Sequence, residues 1–430
     1  MRIAFYLRNA NISTIDCRNI LDGNPGIGGS EYAIISVATL LSQRNKGFDI
    51  VLYAQDKGLL PDNLHIELAD NIDLSVQKAI EQVMTLMIVD CKDMDNATVI
   101  KYSKTMNFVI WGHNFLPYRT LNFYARQQNI LRIVNVGREQ WDLWRDHPIF
   151  CKSDYIYNGI FLPSISKHDI TPYHKRSKNV IYIGSLMHIK GFHVLAKAWK
   201  IVLKSVPEAN LYVVGSGKLY NKNSELGKWG IADNEYENTF MPDLLDEAGN
   251  LLPSVHFMGI MGKEKNDLLL KCKVGVPNPS GNTETFGFTA IEMQAMGCLV
   301  TTKRCPGYLD TVAPNGILYE SESQLAGNIV RLLQRTNNDY LSMYNFIKNR
   351  FDYDLIISEW EKLLYNCETR NKKHIHSISP LSNPMYHCKK LKEFMRKLKE
   401  LMPFTKHIPP IELIIKLCLK ISKYCCCVIF

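Results

Sequence analysis

The sequence predicts an α/β protein: two doubly wound parallel sheets that face a cleft, followed by a basic amphipathic helical tail. Three observations carry that expectation. A strand, a glycine-rich turn, a helix and a second strand succeed one another within residues 2–54, and the order starts again at residue 179. At 430 residues the chain exceeds one ordinary domain, and a hydrophobic content of 46% is enough for two cores. The third observation is where the charge lies. From Asn366 onward 13 Lys and Arg stand against 4 Asp and Glu, which equals the whole formal net charge of +9. The body is left with 38 of each sign and has no general attraction for nucleic acid, whereas the tail favours an anionic surface.

Taken in order, RIAFYL (2–7) reads as a buried first strand. GIGGSE (26–31) opens an amphipathic helix at 32–43, and FDIVLYA (48–54) is the next strand. Gly28 and Gly29 at that first turn let the backbone approach a ligand closely; a plain tight turn would use them equally well. Further strands are expected at 86–90, 108–113, 132–137 and around Ile156. His113 ends its strand on the side where open α/β sheets gather ligand groups, although a structural histidine fits there too. YNGIF (157–161) with Pro163 marks the end of a first domain, 1–163, and the polar stretch 164–178 reads as a linker.

The second domain, 179–344, begins with NVIYIGS and a Gly-Ser turn leading to Lys190-Gly191 at a helix start. The Ser185 hydroxyl and the Lys190 ammonium suit phosphate oxygens gathered at that helix N-terminus; an exposed, solvated lysine is the plain alternative. ANLYVVGSG (209–217) and VHFMGIM (255–261) are strands, and the polar insertion 218–252 should project as a loop with short helices. LVTTK (299–303) and GILY (316–319) close the sheet, and 345–365 forms one last helix.

The most informative stretch is Pro277–Leu299, PNPSGNTETFGFTAIEMQAMGCL. A short apolar strand (274–276) leads into a polar loop and then into a helix that starts near Phe288 and is closed by Gly297. Gly281 and Gly287 allow tight turns, so free amides at the helix N-terminus can face an anion. Glu284 lies just before that point and Glu292 one turn inside the helix. Carboxylates accept hydrogen bonds from paired hydroxyls, so the arrangement suits a phosphate-bearing sugar. Two solvated glutamates on an ordinary strand–loop–helix unit are the alternative.

The composite of P-S, E-x-F-G, the E-x7-E spacing and M-x-A-M-G-x-x-V-x-T resembles the signature of GT-B retaining glycosyltransferases of family 4, and the resemblance spans about residues 1–365. It implies two Rossmann-like domains, the first on the acceptor side and the second holding a nucleotide-diphosphate sugar. By the resemblance, Glu292 takes the ribose hydroxyls and Glu284 the transferred sugar. Ser185, Lys190, Gly28, Gly29 and the backbone of Phe286, Gly287, Phe288 and Thr289 surround the diphosphate and sugar. Ile260 lies near the base, and His113 near the transferred sugar. The catalytic set it implies is Glu284, His113 and Lys190. Helix 345–365 crosses back onto the first domain. Two departures are visible: Phe161 replaces the usual aspartate of N-G-I-D, and Ser185 stands where many members carry arginine, so a charged donor is missing or is supplied elsewhere.

No cofactor and no metal is expected. Asp93-Met94-Asp95 and Asp352-Tyr353-Asp354 are D-x-D triplets, but such short matches arise by chance and neither follows a strand into a plausible site. The cysteines show no paired C-x-x-C spacing and read as reduced residues. The sequence shows neither a signal peptide nor a membrane-spanning run, so a cytoplasmic protein is expected. It would be peripheral on an anionic membrane through 391–430, where basic amphipathic segments at 391–402 and 411–424 lie; packing of these helices on the body is the other reading. The C-V-I-F terminus fits a prenylation box at Cys427 if the protein meets eukaryotic enzymes. The function expected is retaining transfer to a glycan or lipid-linked acceptor. A non-catalytic subunit of a membrane glycosylation complex, or a GT-B glycan phosphorylase or nucleotide-sugar epimerase, are the alternatives.

Overall fold

The computed structural model describes residues 1–44, 46–162, 171–219, 223–378 and 381–428, with side chains to 421 in the last helix and that of residue 403 left aside. The first sheet holds β1 (Arg2–Leu7), β2 (Asp49–Ala54), β3 (His65–Leu68), β4 (Leu86–Asp90), β5 (Asn107–Gly112), β6 (Ile130–Asn135) and β7 (Ser153–Tyr155). Its order is β3-β2-β1-β4-β5-β6-β7, and every pairing is parallel. The second holds β8 (Asn179–Ile183), β9 (Asn210–Val214), β10 (Val255–Gly259), β11 (Val274–Gly275), β12 (Leu299–Lys303) and β13 (Ile317–Tyr319) in the parallel order β10-β9-β8-β11-β12-β13. In both sheets the first strand lies inside and the order reverses beside it. That reversal opens a crevice at the carboxyl ends of the strands. Central strands such as LMIVD are buried throughout because helices cover both faces.

In the first domain the helices are α1 (Gly29–Arg44), α2 (Ile72–Glu81), α3 (Asn96–Lys101), α4 (Tyr118–Arg126) and α5 (Arg138–Asp142). The second adds α6 (Phe192–Ser205), α7 (Asn234–Leu244), α8 (Lys265–Lys271), α9 (Phe288–Ala295), α10 (Pro306–Thr311) and α11 (Leu325–Gln334). α12 (Tyr340–Phe351) and α13 (Tyr353–Glu368) follow, and α14 (Lys389–Leu401) and α15 (Ile411–Val428) form the tail.

Four expectations change. The helix after the first turn is not amphipathic: residues 31–39 are all buried, because α13 packs on the face that would otherwise meet water. Arg44 reaches across to the Asp354 carboxylate at 2.6 Å. The single helix at 345–365 is two, broken at Asp352, whose backbone turns extended and whose carboxylate caps α13 by accepting the Asp354 amide. The Ile160 amide donates to the Phe351 carbonyl at that break, 2.8 Å away, where the chain has returned to the first domain. Segment 218–252 does not project: Tyr236, Phe240, Met241 and Leu244 of α7 enter the second core beside α6. Buried Glu237 accepts the amides of Trp229, Ile231 and Ala232 and so folds the loop before α7.

The tail departs furthest. Lys389, Lys392 and Lys399 of α14 are buried against carboxylates instead of forming a free cationic face. Lys389 meets Glu139 and Asp142, Lys392 meets Glu412 at 2.7 Å, and Lys399 reaches the Asp146 carbonyl at 2.8 Å. Buried Arg145 joins from the body, bonding Glu393 at 2.7 Å. The outward side of the tail carries apolar groups, including Phe394, Leu401, Phe404, Leu417, Leu419 and Ile421, beside exposed lysines such as Lys390, Lys397 and Lys420. Among the described residues no helix is long and apolar enough to cross a membrane. Residues 164–170 of the linker read at 164–178, and the side chains of the C-V-I-F box, lie outside the described residues.

Candidate active site

A cavity of about 410 Å³ opens between the two sheets at the carboxyl ends of their strands. Every residue singled out from sequence for the site lines it: Gly28, Gly29, His113, Ser185, Lys190, Ile260, Glu284, Phe286, Gly287, Phe288, Thr289 and Glu292. Their contacts separate them into groups with different possibilities.

The second-domain wall is built from two lysine–glutamate pairs. Lys190 Nζ lies 3.2 Å from Glu284 Oε2, which also accepts from Asn278 Nδ2 at 3.0 Å. Lys265 Nζ lies 3.1 Å from Glu292 Oε1. Lys190 ends a short 3-10 turn, and Gly191, in the left-handed region at φ +68°, swings the chain from it into α6. α9 starts from Gly287 at φ +94° with no side chain capping its N-terminus, so the amides of its first turn face the cavity side. This wall therefore presents two ammonium groups, a helix N-terminus and two carboxylates, which can grip one anionic and two hydroxyl-bearing portions of a ligand.

One predicted contributor acts differently from expectation. The Ser185 hydroxyl is buried and donates to the Ser216 carbonyl at 3.4 Å, so it is turned into the protein rather than toward a phosphate. The rings of Phe286 and Phe288, residues that line the cavity, pack on the first domain. They join the first domain's core, Phe286 against Tyr157 and Phe351 and Phe288 edge-on to Tyr32 at 5.7 Å. Gly29 is required there, since a Cβ would come within 2.8 Å of the Phe288 ring. The F-G-F segment thus latches the two domains while its backbone turns to the cavity.

The first-domain wall centres on His113. Its Nδ1 lies 3.0 Å from Asp90 Oδ2, while Nε2 is buried and has no hydrogen-bond partner among the described residues. Burial works against the Asp90 charge, but His113 and Lys92 outweigh it and hold the carboxyl below the usual carboxylate range. Lys92 also donates to Glu31 at 2.8 Å. The Thr285 hydroxyl donates to the His113 carbonyl at 2.6 Å and ties this wall to the Glu284 loop. The arrangement can hold an imidazole in one orientation with a ring nitrogen free for a substrate hydroxyl.

Lys265, Lys92 and Asn278 were not singled out from sequence. Lys265 opens α8 just after the strand that leads to Ile260, the same helix-start argument that marked Lys190. Lys92 and Asn278 come from loops whose course the sequence does not give. Asp95 and Asp352 of the D-x-D triplets cap α3 and α13, and no cluster of potential metal ligands is found among the described residues.

The profile of the family described as glycosyl transferases group 1 matches residues 177–335, the part that holds both lysine–glutamate pairs. A Haemophilus influenzae protein described as an uncharacterized glycosyltransferase is 24% identical over 373 residues, covering 78% of this chain and 96% of that protein. Among solved structures, the Anabaena protein HepE in complex with UDP and glucose superposes with a TM-score of 0.60 at 17% identity, covering 85% of this chain and 100% of its own. Sucrose-phosphate synthase from Thermosynechococcus elongatus gives 0.63 at 15%, covering 86% and 100%. At such identities these likenesses establish the fold, GT-B. The family profile adds that residues 177–335 match the glycosyl transferases group 1.

Proposed function

We propose that the chain transfers a sugar from a nucleotide-diphosphate sugar, with retention at the anomeric carbon, to a glycan or lipid-linked acceptor that enters from the His113 side. The observation that carries this reading is the pairing of Glu284 and Glu292 with lysines on either side of the uncapped α9 N-terminus. Ribose hydroxyls would bond Glu292, transferred-sugar hydroxyls Glu284, and the diphosphate Lys190 with the amides of Phe288 and Thr289. Ile260 lies by the base. Charge builds on the departing diphosphate, so the Lys190 ammonium and those amides supply the main electrostatic stabilisation. A covalent glycosyl-enzyme needs a carboxylate against the far face of the anomeric carbon. The carboxylates among the lining residues are Glu284 and Glu292, both engaged with hydroxyls in this reading. Front-face attack, with the leaving phosphate taking the acceptor proton, is therefore the mechanism. His113 Nε2 orients a hydroxyl of the transferred sugar. No metal takes part.

The relative HepE was solved with UDP, which makes UDP the first nucleotide to try. A ligand that binds only the folded protein raises its melting temperature. Thermal shift against UDP, ADP, GDP and their sugars should give a rise with one base, lost in Glu292→Ala; no rise with any of them would sink the reading. The proposal places the enzyme peripherally on the cytoplasmic side of an anionic membrane. The exposed apolar groups of α14 and α15 would enter the interface, with Lys390, Lys397 and Lys420 at its rim.

A further inference from the structure

We propose that Lys265 determines donor specificity: it fixes the Glu292 carboxylate and donates to the ribose, so that the site reads ribose over 2′-deoxyribose. The inference rests on the assignment of Glu292 to the ribose. Lys265 is the first residue of α8, and its side chain is only 7% exposed. Glu292, at 3.1 Å, is its one ionic partner among the described residues. An ammonium has three donors, and one carboxylate oxygen faces it at ion-pair distance. The side chain lines both the main cavity and an adjoining one of about 340 Å³, the two meeting at Asn24, Lys265 and Glu292. Donors not facing Glu292 therefore open onto the space beside that carboxylate. A ribose diol has hydroxyl protons for Glu292 and oxygen lone pairs for Lys265. The pair matches both halves of each hydroxyl, which a lone carboxylate does not. Removing the 2′-hydroxyl would leave charged donor and acceptor sites unmatched in a filled cleft, and charge-assisted bonds are the costly ones to lose.

The test is calorimetric titration of the full chain with UDP, ADP, GDP and their 2′-deoxy counterparts. In the wild type, the ribonucleotide that binds should be preferred over its deoxy form by about tenfold or more. Lys265→Met should still bind the nucleotide diphosphate but lose most of that preference. Lys265→Gln keeps a neutral donor, should fall between the two, and provides the readout if the methionine variant does not fold. Equal binding of the two forms by the wild type, or full preference in both variants, overturns the inference and leaves the proposed function standing. Failure of all six nucleotides to bind the wild type overturns both.

Discussion

The cleft and the tail use the same interaction to opposite ends. In the cleft, Lys190–Glu284 and Lys265–Glu292 sit 3.2 and 3.1 Å apart with each side chain partly open to the cavity, at 7–21% exposure. In the tail, Lys389 with Glu139 and Lys392 with Glu412 are closed, at 0–1% exposure. A pair beside a cavity can exchange its partner for a ligand hydroxyl or phosphate. A pair sealed against a helix cannot, and opening it strands a charge away from water. Lysine–carboxylate contact alone does not mark a site. What differs is whether one side of the pair faces room for a third participant.

Breaking the sealed side should have the largest effect on stability. Lys389→Met leaves Glu139 and Asp142 buried without their ammonium and should lower unfolding free energy by about 3–5 kcal/mol, read by urea denaturation. A change below about 1 kcal/mol would mean that the tail docks without help from this pair. The open side should behave in reverse. Lys190→Ala should cut turnover about 100- to 1000-fold with little change in urea midpoint, and near-normal turnover would remove Lys190 from the diphosphate clamp.

Asp310 of α10 lies where the two regions meet. It accepts the Glu139 amide at 2.8 Å and the Tyr157 hydroxyl at 3.0 Å, while the Gly307 amide of the same helix bonds the Glu284 carbonyl at 3.3 Å. Burial pushes its carboxyl up to about 7 from an ordinary 3.8. The folded state then holds a proton that the unfolded state has released, so stability is full below about pH 4 and falls as pH rises toward 7. Between pH 5 and pH 8 the effect is smaller than at Lys389, because part of the shift from 3.8 lies below that window. Asp310→Asn should flatten this slope in denaturation series from pH 5 to pH 8; an unchanged slope would place the titration elsewhere. The smallest effect is expected at exposed Lys420. Lys420→Gln should weaken cosedimentation with phosphatidylserine vesicles by about 1 kcal/mol, and no binding by the wild type would end the membrane proposal.

Much of this was legible in the chain. Twelve of the thirteen strands among the described residues are apparent as short apolar or alternating runs, and the E-x7-E stretch places Glu284, Glu292, Gly287 and Gly297 with their helix. The half-exposed strand β3 was not read, and β7, expected around Ile156, lies just before it at Ser153–Tyr155. Ser185 was misplaced because a turn hydroxyl is free to rotate toward its own chain, and only the position of the Ser216 carbonyl decides which way. Lys389 and Lys399 were misjudged because their partners lie about 250 residues earlier. A basic stripe read alone looks like a surface for lipid. The matching carboxylates, Glu139, Asp142 and Asp146, were present at helical spacing but had no reason to be read as its complement.

By itself, then, the sequence determined whatever depends on neighbours along the chain: periodicity, turn glycines, caps and the spacing of two carboxylates on one loop and helix. The tertiary structure alone decided what depends on encounters between distant segments. It set Lys265 against Glu292, His113 against Asp90, the Phe288 ring over Gly29, and Lys389 of the tail against α5. The physical reason is range. Backbone preference acts over a few residues, whereas the burial of a charge is fixed by whichever surface packs over it.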